Sequence, residues 1–343
     1  MIPNPLVSAS TSPPAPSPLP VPPPARSELP PPPSEPDTSS RSPHPRDVIA
    51  LLRPGQWAKN VYSMALVGAT ASVWTVHAAW QLLWITVVFV IASGAVYIGN
   101  DVADRDNDRR HPVKRHRPLA SGRVGMPTAI ALLAVCLGVL TILLATSPPT
   151  RWWPVVAYLG LNIGYSAGLK HVPLVDAFIV AIGFQLRLAA GYLAVGENPS
   201  QWLLTAVLAV CLVLVLGKRR HELITDGRES RPALRGYTAQ LIDQMLVICM
   251  VVTILSTLLY LWHDAPLGQF STHAVLISAP FTLFGLFRYL QVLVVERGGA
   301  DPVRILLRDR TLLICMAAFA LAFLTALYAA HHSLPASTAT SLT

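Results

Sequence analysis

After Arg46 the chain is dominated by long apolar runs separated by short polar segments, at about residues 61–76, 80–99, 126–146, 152–169, 174–195, 201–217, 241–262, 273–295 and 311–330. Most approach the ~20 residues that a helix needs to cross a hydrocarbon layer. The first is short and carries Ser and Thr. This pattern predicts an all-α, polytopic membrane protein with nine transmembrane helices. Composition agrees. Only 13% of the residues are charged and mean hydropathy is +0.49, whereas a soluble domain carries about 25% charged residues.

The flanks read differently. Residues 1–45 hold 17 of the 31 prolines. Such a stretch buries too little apolar surface to offset its ordering entropy, so a disordered or polyproline II tail is expected there. Residues 46–335 form the expected membrane domain, and 336–343 a short disordered end. No apolar stretch near residue 1 suggests a cleavable signal. Cys136, Cys211, Cys249 and Cys315 each lie inside an apolar run without metal-ligand spacing, and read as small buried hydrophobes.

Lys and Arg set the orientation. With nine spans and the N-terminus inside, the cytoplasmic segments carry Arg53 and Lys59, the Arg105–Arg123 cluster, Lys170, Lys218 to Arg235, and Arg297 to Arg310. The opposite side has only Arg151. That asymmetry obeys the positive-inside rule. A net charge of +8 is therefore ascribed to topology and anionic small ligands, not to nucleic acid.

The strongest chemical signal begins where the second run ends, at Asn100-Asp101-Val102-Ala103-Asp104-Arg105-Asp106-Asn107-Asp108. Asp101, Asp104 and Asp108 are spaced i, i+3, i+7, and share a face within roughly 60° of arc if the helix continues. Three carboxylates on one face repel each other, and a divalent cation relieves the repulsion. Hard oxygen ligands favour Mg²⁺, which bridges to substrate phosphates. An EF-hand loop is excluded by the missing glycine and distal glutamate. A solvated acidic helix end is the plainer alternative. The next segment, with Lys114, Arg115 and Arg117, adds cations suited to a polyanion.

Three further polar clusters fall on the same side: Lys59 and its neighbours, then Tyr165, Lys170 and Asp176, then Lys218, Arg219, Arg220 and Glu222 with Asp226. Each alone reads as a topology signal. Together, at the ends of different helices, they imply one shared polar cavity on the cytoplasmic side. Arg187 and Arg288 lie within runs, where charge is costly and usually faces the bundle interior. For Arg187 an interior pairing and a substrate contact both stay open. No nucleophile elbow, Walker loop, dinucleotide fingerprint or zinc-ligand spacing is present.

These clusters resemble the UbiA superfamily of intramembrane prenyltransferases. The Asn-Asp-x-x-Asp-x-x-x-Asp pattern from Asn100 matches its first acidic motif, and Tyr165, Lys170 and Asp176 match its element between helices four and five. Within the superfamily the decaprenyl-phosphate phosphoribosyltransferases are most similar. Their likeness rests on Arg53-Pro54 with Gln56-Trp57 and Lys59-Asn60, on His111-Pro112 with Lys114-Arg115 and Arg117-Pro118, on Ala120-Ser121-Gly122, on Tyr165-Ser166 with Gly168-Leu169-Lys170-His171, and on Gly217-Lys218-Arg219 with Glu222. The likeness covers about residues 46–330. Ordinary UbiA enzymes carry a second Asp-rich motif where this chain has Lys218, Arg219, Arg220 and Glu222. That departure suggests a basic subsite for a lipid monophosphate or sugar phosphate.

The resemblance implies a nine-helix UbiA-like bundle in the cell membrane and a transferase in cell-wall arabinan precursor synthesis. The donor would be 5-phosphoribosyl diphosphate and the acceptor a polyprenyl (decaprenyl) phosphate. Mg²⁺ would sit on Asp101, Asp104 and Asp108, with Asn100. Lys170 and Glu222 complete the expected catalytic set, and Lys59, Lys114, Arg115, Arg117, Tyr165, Asp176, Arg187, Lys218 and Arg219 the expected substrate contacts. Two alternatives remain: a prenyl transfer from a diphosphate to an aromatic acceptor, and a transporter or lipid-binding protein. A homo-oligomer stays open.

Overall fold

The computed structural model describes residues 44–72, 75–296, 298–299, 305–306 and 308–332. The proline-rich stretch lies outside them except for His44 and Pro45, and Pro45 already opens the first helix. The 336–343 end also lies outside. Among the described residues there is no strand. The helices are α1 (Pro45–Leu51), α2 (Ala58–Thr70), α3 (Val76–Ala103), α4 (Arg105–Arg110), α5 (Met126–Ala145), α6 (Trp153–Ala167), α7 (Val175–Val195), α8 (Gln201–Thr225), α9 (Ala239–Leu259), α10 (Ser271–Val294) and α11 (Arg310–His332).

Local chemistry sets the boundaries. Thr75, Ser200 and Thr238 accept hydrogen bonds from the backbone N–H groups of Ala78, Leu203 and Leu241, capping α3, α8 and α9. Proline occupies the first turn of α5 and of α6, where no intrahelical donor is lost. Gly196 ends α7 with φ 83°, a left-handed closure that favours glycine.

Seven helices, α3, α5 and α7 to α11, are long and apolar enough to cross a membrane, counting the turn after α9 and the one before α10. The chain is an integral membrane protein. Of the nine expected spans, the first and fourth are occupied by α2 and α6, which have 13 and 15 residues and fall short. Ile142 on α5, Leu276 and Phe287 on α10 and Leu321 on α11 are exposed. In water such a surface would be an aggregation liability; hydrocarbon is the solvent that suits it.

Helix α7 is the hub. In its most apolar stretch 61% of residues are buried in protein, against 11% for α10. It packs against α2, α3, α6 and α8. Phe89 and Ile85 of α3 meet Tyr158 of α6 and Leu186 and Ala190 of α7 in one cluster. Gly191 lets α2 approach closely: a Cβ there would lie 2.7 Å from Val67 Cγ2 and 3.0 Å from Met64 Sδ. A second cluster joins Leu216 of α8, Leu246 of α9 and Leu293 of α10.

Candidate active site

The ends of α2, α3, α6 and α7 and the α8–α9 connection surround a cavity of about 550 Å³. This volume is within the usual range for small-molecule sites, ~300–1,000 Å³. Of the residues expected from the sequence, Lys59, Asn100, Asp104, Asp108, Lys114, Arg117, Tyr165, Lys170 and Arg187 line it. Asp101, Arg115, Asp176, Lys218, Arg219 and Glu222 are absent from its lining.

The acidic motif is bent, which corrects the single-face expectation. Helix α3 stops at Ala103, Asp104 takes φ −96° and ψ 6°, and α4 restarts at Arg105. Asp104 therefore diverges from the other two. Lys170 Nζ donates to both of its oxygens at 3.0 Å. Asp101 and Asp108 are buried and converge on Arg117, whose Nη1 is 3.1 Å from Asp101 Oδ1 and 2.6 Å from Asp108 Oδ2. Arg53 Nη2 adds a 2.5 Å bond to Asp101 Oδ1, and its guanidinium lies 4.9 Å above the Tyr97 ring. Asn100 Oδ1 accepts from Ser166 Oγ.

Among the described residues no three His, Cys, Asp or Glu side chains are gathered closely enough to hold a metal by themselves. The donor chemistry still suits Mg²⁺. Asn100, Asp104 and Asp108 present hard oxygens to the cavity, and that ion commonly uses one or two carboxylates together with substrate phosphates.

A second charged network lies behind the cavity wall. Asp176, with no exposed surface, accepts from Arg219 Nε at 2.9 Å and from the Tyr237 hydroxyl at 3.2 Å. Arg219 Nη1 also reaches Glu222 Oε2 at 2.6 Å. Burial, followed by the negative charge of Asp176, pushes the Tyr237 hydroxyl up to about 12. The basic subsite expected at Lys218 and Arg219 is thus not part of the wall. Helix α8 continues to Thr225, and its spacing turns Arg219 inward onto α7 while Lys218 stays half exposed. The cation that does face the cavity from this side is Arg231, on the α8–α9 connection. Its Nη2 donates to Tyr165 Oη at 2.6 Å and lies 3.4 Å from Asp176 Oδ2.

Arg187 is buried at the cavity floor. Its Nε donates to Asn60 Oδ1 at 2.6 Å, Nη1 to the Gly183 carbonyl at 2.7 Å and Nη2 to Tyr158 Oη at 3.0 Å. The Tyr158 ring lies 4.6 Å from its guanidinium. The two readings left open for Arg187 therefore coincide in place: it is paired internally and also lines the cavity.

Arg53 and Leu174 are the only non-glycine residues with positive φ among the described residues, at 50° and 67°. Each costs on the order of 1–3 kcal/mol, and such strain concentrates at functional sites. Arg53 touches the first network. Leu174 N–H donates to Tyr237 Oη of the second at 2.7 Å.

Tyr158, Asn162 and Arg231 were not among the expected site residues, and Ser166 entered only as part of a motif. Tyr158, Asn162 and Ser166 had a signal: polar groups every fourth residue in an apolar run put a stripe on one face of α6. Arg231 had none, because it reads as one more loop cation.

This helical arrangement, with its acidic motif at a helix end, is that of the UbiA prenyltransferase family, whose pattern matches residues 61–306, and the chain belongs to that family. More particularly, it is 31% identical over 292 residues to the decaprenyl-phosphate phosphoribosyltransferase of Corynebacterium glutamicum, covering 82% of this chain and 86% of that protein. To the protein of the same name from Mycobacterium tuberculosis it is 33% identical over 275 residues, covering 77% and 89%. Among solved structures, a UbiA homolog from Archaeoglobus fulgidus bound to DMAPP and Mg²⁺ aligns with a TM-score of 0.59 at 16% identity, over 82% of this chain and 99% of that one. At that identity the likeness speaks for the fold alone.

Proposed function

We propose that the chain is a glycosyltransferase that moves 5-phosphoribose from 5-phosphoribosyl diphosphate to a polyprenyl phosphate and releases diphosphate. The reading places its active site and N-terminus on the cytoplasmic side of the cell membrane. The lipid-linked sugar phosphate so made would serve cell-wall arabinan synthesis. The observation that carries the reading is the cavity wall itself: Asp104 and Asp108 stand among Lys170, Arg117, Lys114 and Arg231, a lining suited to a polyanion. The two bacterial decaprenyl-phosphate phosphoribosyltransferases support the acceptor and the transferred group, and the oxygen donors of Asn100, Asp104 and Asp108 support the metal.

Asn100, Asp104 and Asp108 would hold Mg²⁺, which when bound would neutralise charge building on the departing diphosphate. Lys170 and Arg117 add positive charge beside the same oxygens, in place before reaction, which is how preorganised electrostatics lowers a barrier. As the C1–oxygen bond to diphosphate breaks, the ribose C1 gains oxocarbenium character. The acceptor phosphate oxygen attacks the opposite face, inverting C1. That oxygen is already anionic, so no side-chain base is required. What the chain supplies is position.

The experiment is direct. Purified protein receives labelled 5-phosphoribosyl diphosphate, Mg²⁺ and decaprenyl phosphate, and labelled lipid is measured. Lipid product that vanishes with a chelator and returns with Mg²⁺ is expected. Protein that stays inert here, yet transfers a labelled prenyl group from its diphosphate to an aromatic acid, would overturn the assignment.

A further inference from the structure

We infer that Arg231 is the specificity residue for the donor's sugar end, gripping the 5-phosphate monoester while the acidic motif handles the diphosphate. This deepens the function proposed above and rests on it. Three observations carry it.

The first is that Arg231 has donors to spare. Its Nη2 serves Tyr165 and lies near Asp176, yet its Nε is buried and has no hydrogen-bond partner. The carboxylate beside it is already claimed by Arg219 at 2.9 Å and by Tyr237 at 3.2 Å. A guanidinium on the cavity wall that keeps unpaired N–H groups, and whose contact with its carboxylate neighbour is only 3.4 Å, can turn towards the oxygens of a phosphate monoester when one binds.

The second is that Arg231 stands apart from the diphosphate end. Arg117 and Lys170 each bond to carboxylates of the acidic motif. Among the described residues Arg231 forms no hydrogen bond or ion pair with that motif; its carboxylate neighbour belongs to α7. It lies on the connection that follows α8, beside Tyr165 of α6 and Asp176 of α7.

The third is that the segment is fixed in advance. Leu234 and Tyr237 are buried, Tyr237 is bonded to Leu174 N–H and Asp176, and a Cβ on Gly236 would lie 2.4 Å from Pro173 Cγ. A pinned side chain spends little entropy on binding.

Two fragments of the donor separate the ends. Ribose 5-phosphate and inorganic diphosphate are each used as competitors of the full-length enzyme. For Arg231→Gln the expected result is a tenfold or larger rise in KM for 5-phosphoribosyl diphosphate, with kcat within threefold. Inhibition by ribose 5-phosphate should weaken by a similar factor, while inhibition by diphosphate and KM for decaprenyl phosphate stay put. Arg231→Lys should recover part of the loss. Should Arg231→Gln fail to fold, Tyr165→Phe keeps the ring, frees the guanidinium from its anchor, and should weaken ribose 5-phosphate by a smaller factor. Equal loss of both fragments, a shift confined to the lipid acceptor, or no change in either variant overturns the inference. A wild-type protein that makes no phosphoribosyl lipid instead refutes the underlying function, which the same assay scores separately.

Discussion

Two charged networks sit within one bundle and use the same residue types, yet they differ in what surrounds them. The first joins Asp101, Asp104 and Asp108 to Arg53, Arg117 and Lys170, and two of its carboxylates face the cavity. The second joins Asp176 and Glu222 to Arg219, and none of these three faces it. Charges that border a cavity can exchange partners with a ligand. Charges locked on each other inside protein hold helices together, here α7 to α8, because removing either one leaves an uncompensated ion. An Arg beside an acidic residue is therefore not evidence of a substrate site until its exposure to the cavity is known.

Substitutions can break this contrast. Asp104→Ala should have the largest effect. Turnover should fall about a thousandfold or more, comparable with removing a key electrostatic group, while the solubilised protein keeps its melting temperature. Preserved turnover would show that the first network is structural too. Asp176→Ala should do the reverse, costing about 3–5 kcal/mol of stability through the stranded Arg219, read as a lowered melting temperature. An Asp176→Ala protein of normal stability but no donor binding would erase the distinction.

Alkaline titration sharpens the comparison further. Tyr237 is raised to about 12 from its ordinary value of 10.0 by burial and by Asp176. A raised pKa in the folded state gives stability that is intact below pH about 10 and lost as pH climbs towards about 12. Tyr237→Phe should lack that alkaline step in melting curves taken beside wild type. The smallest effect belongs to Lys218→Ala. This half-exposed side chain lies 3.9 Å from Glu222, and its loss should change stability by less than about 0.5 kcal/mol and leave KM for both substrates within twofold. A large KM change would restore the basic subsite that the sequence suggested at this position.

The outline of the fold was legible because apolar runs of spanning length leave few alternatives. The acidic motif stood out because its carboxylates gather at a helix end next to a basic loop, although a solvated helix end fitted the same spacing. Orientation around each helix was not. In a bilayer the lipid-facing side is as apolar as the packed side, so α8 offers no amphipathic stripe to show that Arg219 turns towards Asp176 and Lys218 does not. The bend at Asp104 was hidden for another reason: nothing in Asn-Asp-Val-Ala-Asp-Arg marks a break, and it is tertiary bonds that hold Asp104 on Lys170 while Asp101 and Asp108 share Arg117. Arg231 depends on Tyr165 and Asp176, both more than fifty residues away, a relation that spacing along the chain cannot encode.

The shortness of α2 has a consequence for the surrounding lipid. Thirteen residues rise only about 20 Å, some ~10 Å less than an average hydrocarbon layer. Its far end is tied into the bundle, with Thr70 Oγ1 2.6 Å from the Tyr192 hydroxyl, while Val61 and Tyr62 look outward. Where α2 borders lipid, hydrophobic mismatch on that flank would pull the leaflets together or draw headgroups inward. A polyisoprenoid anchored there would present its polar head at the entrance beside Lys59 with less climb out of the membrane than on any flank walled by a full-length helix.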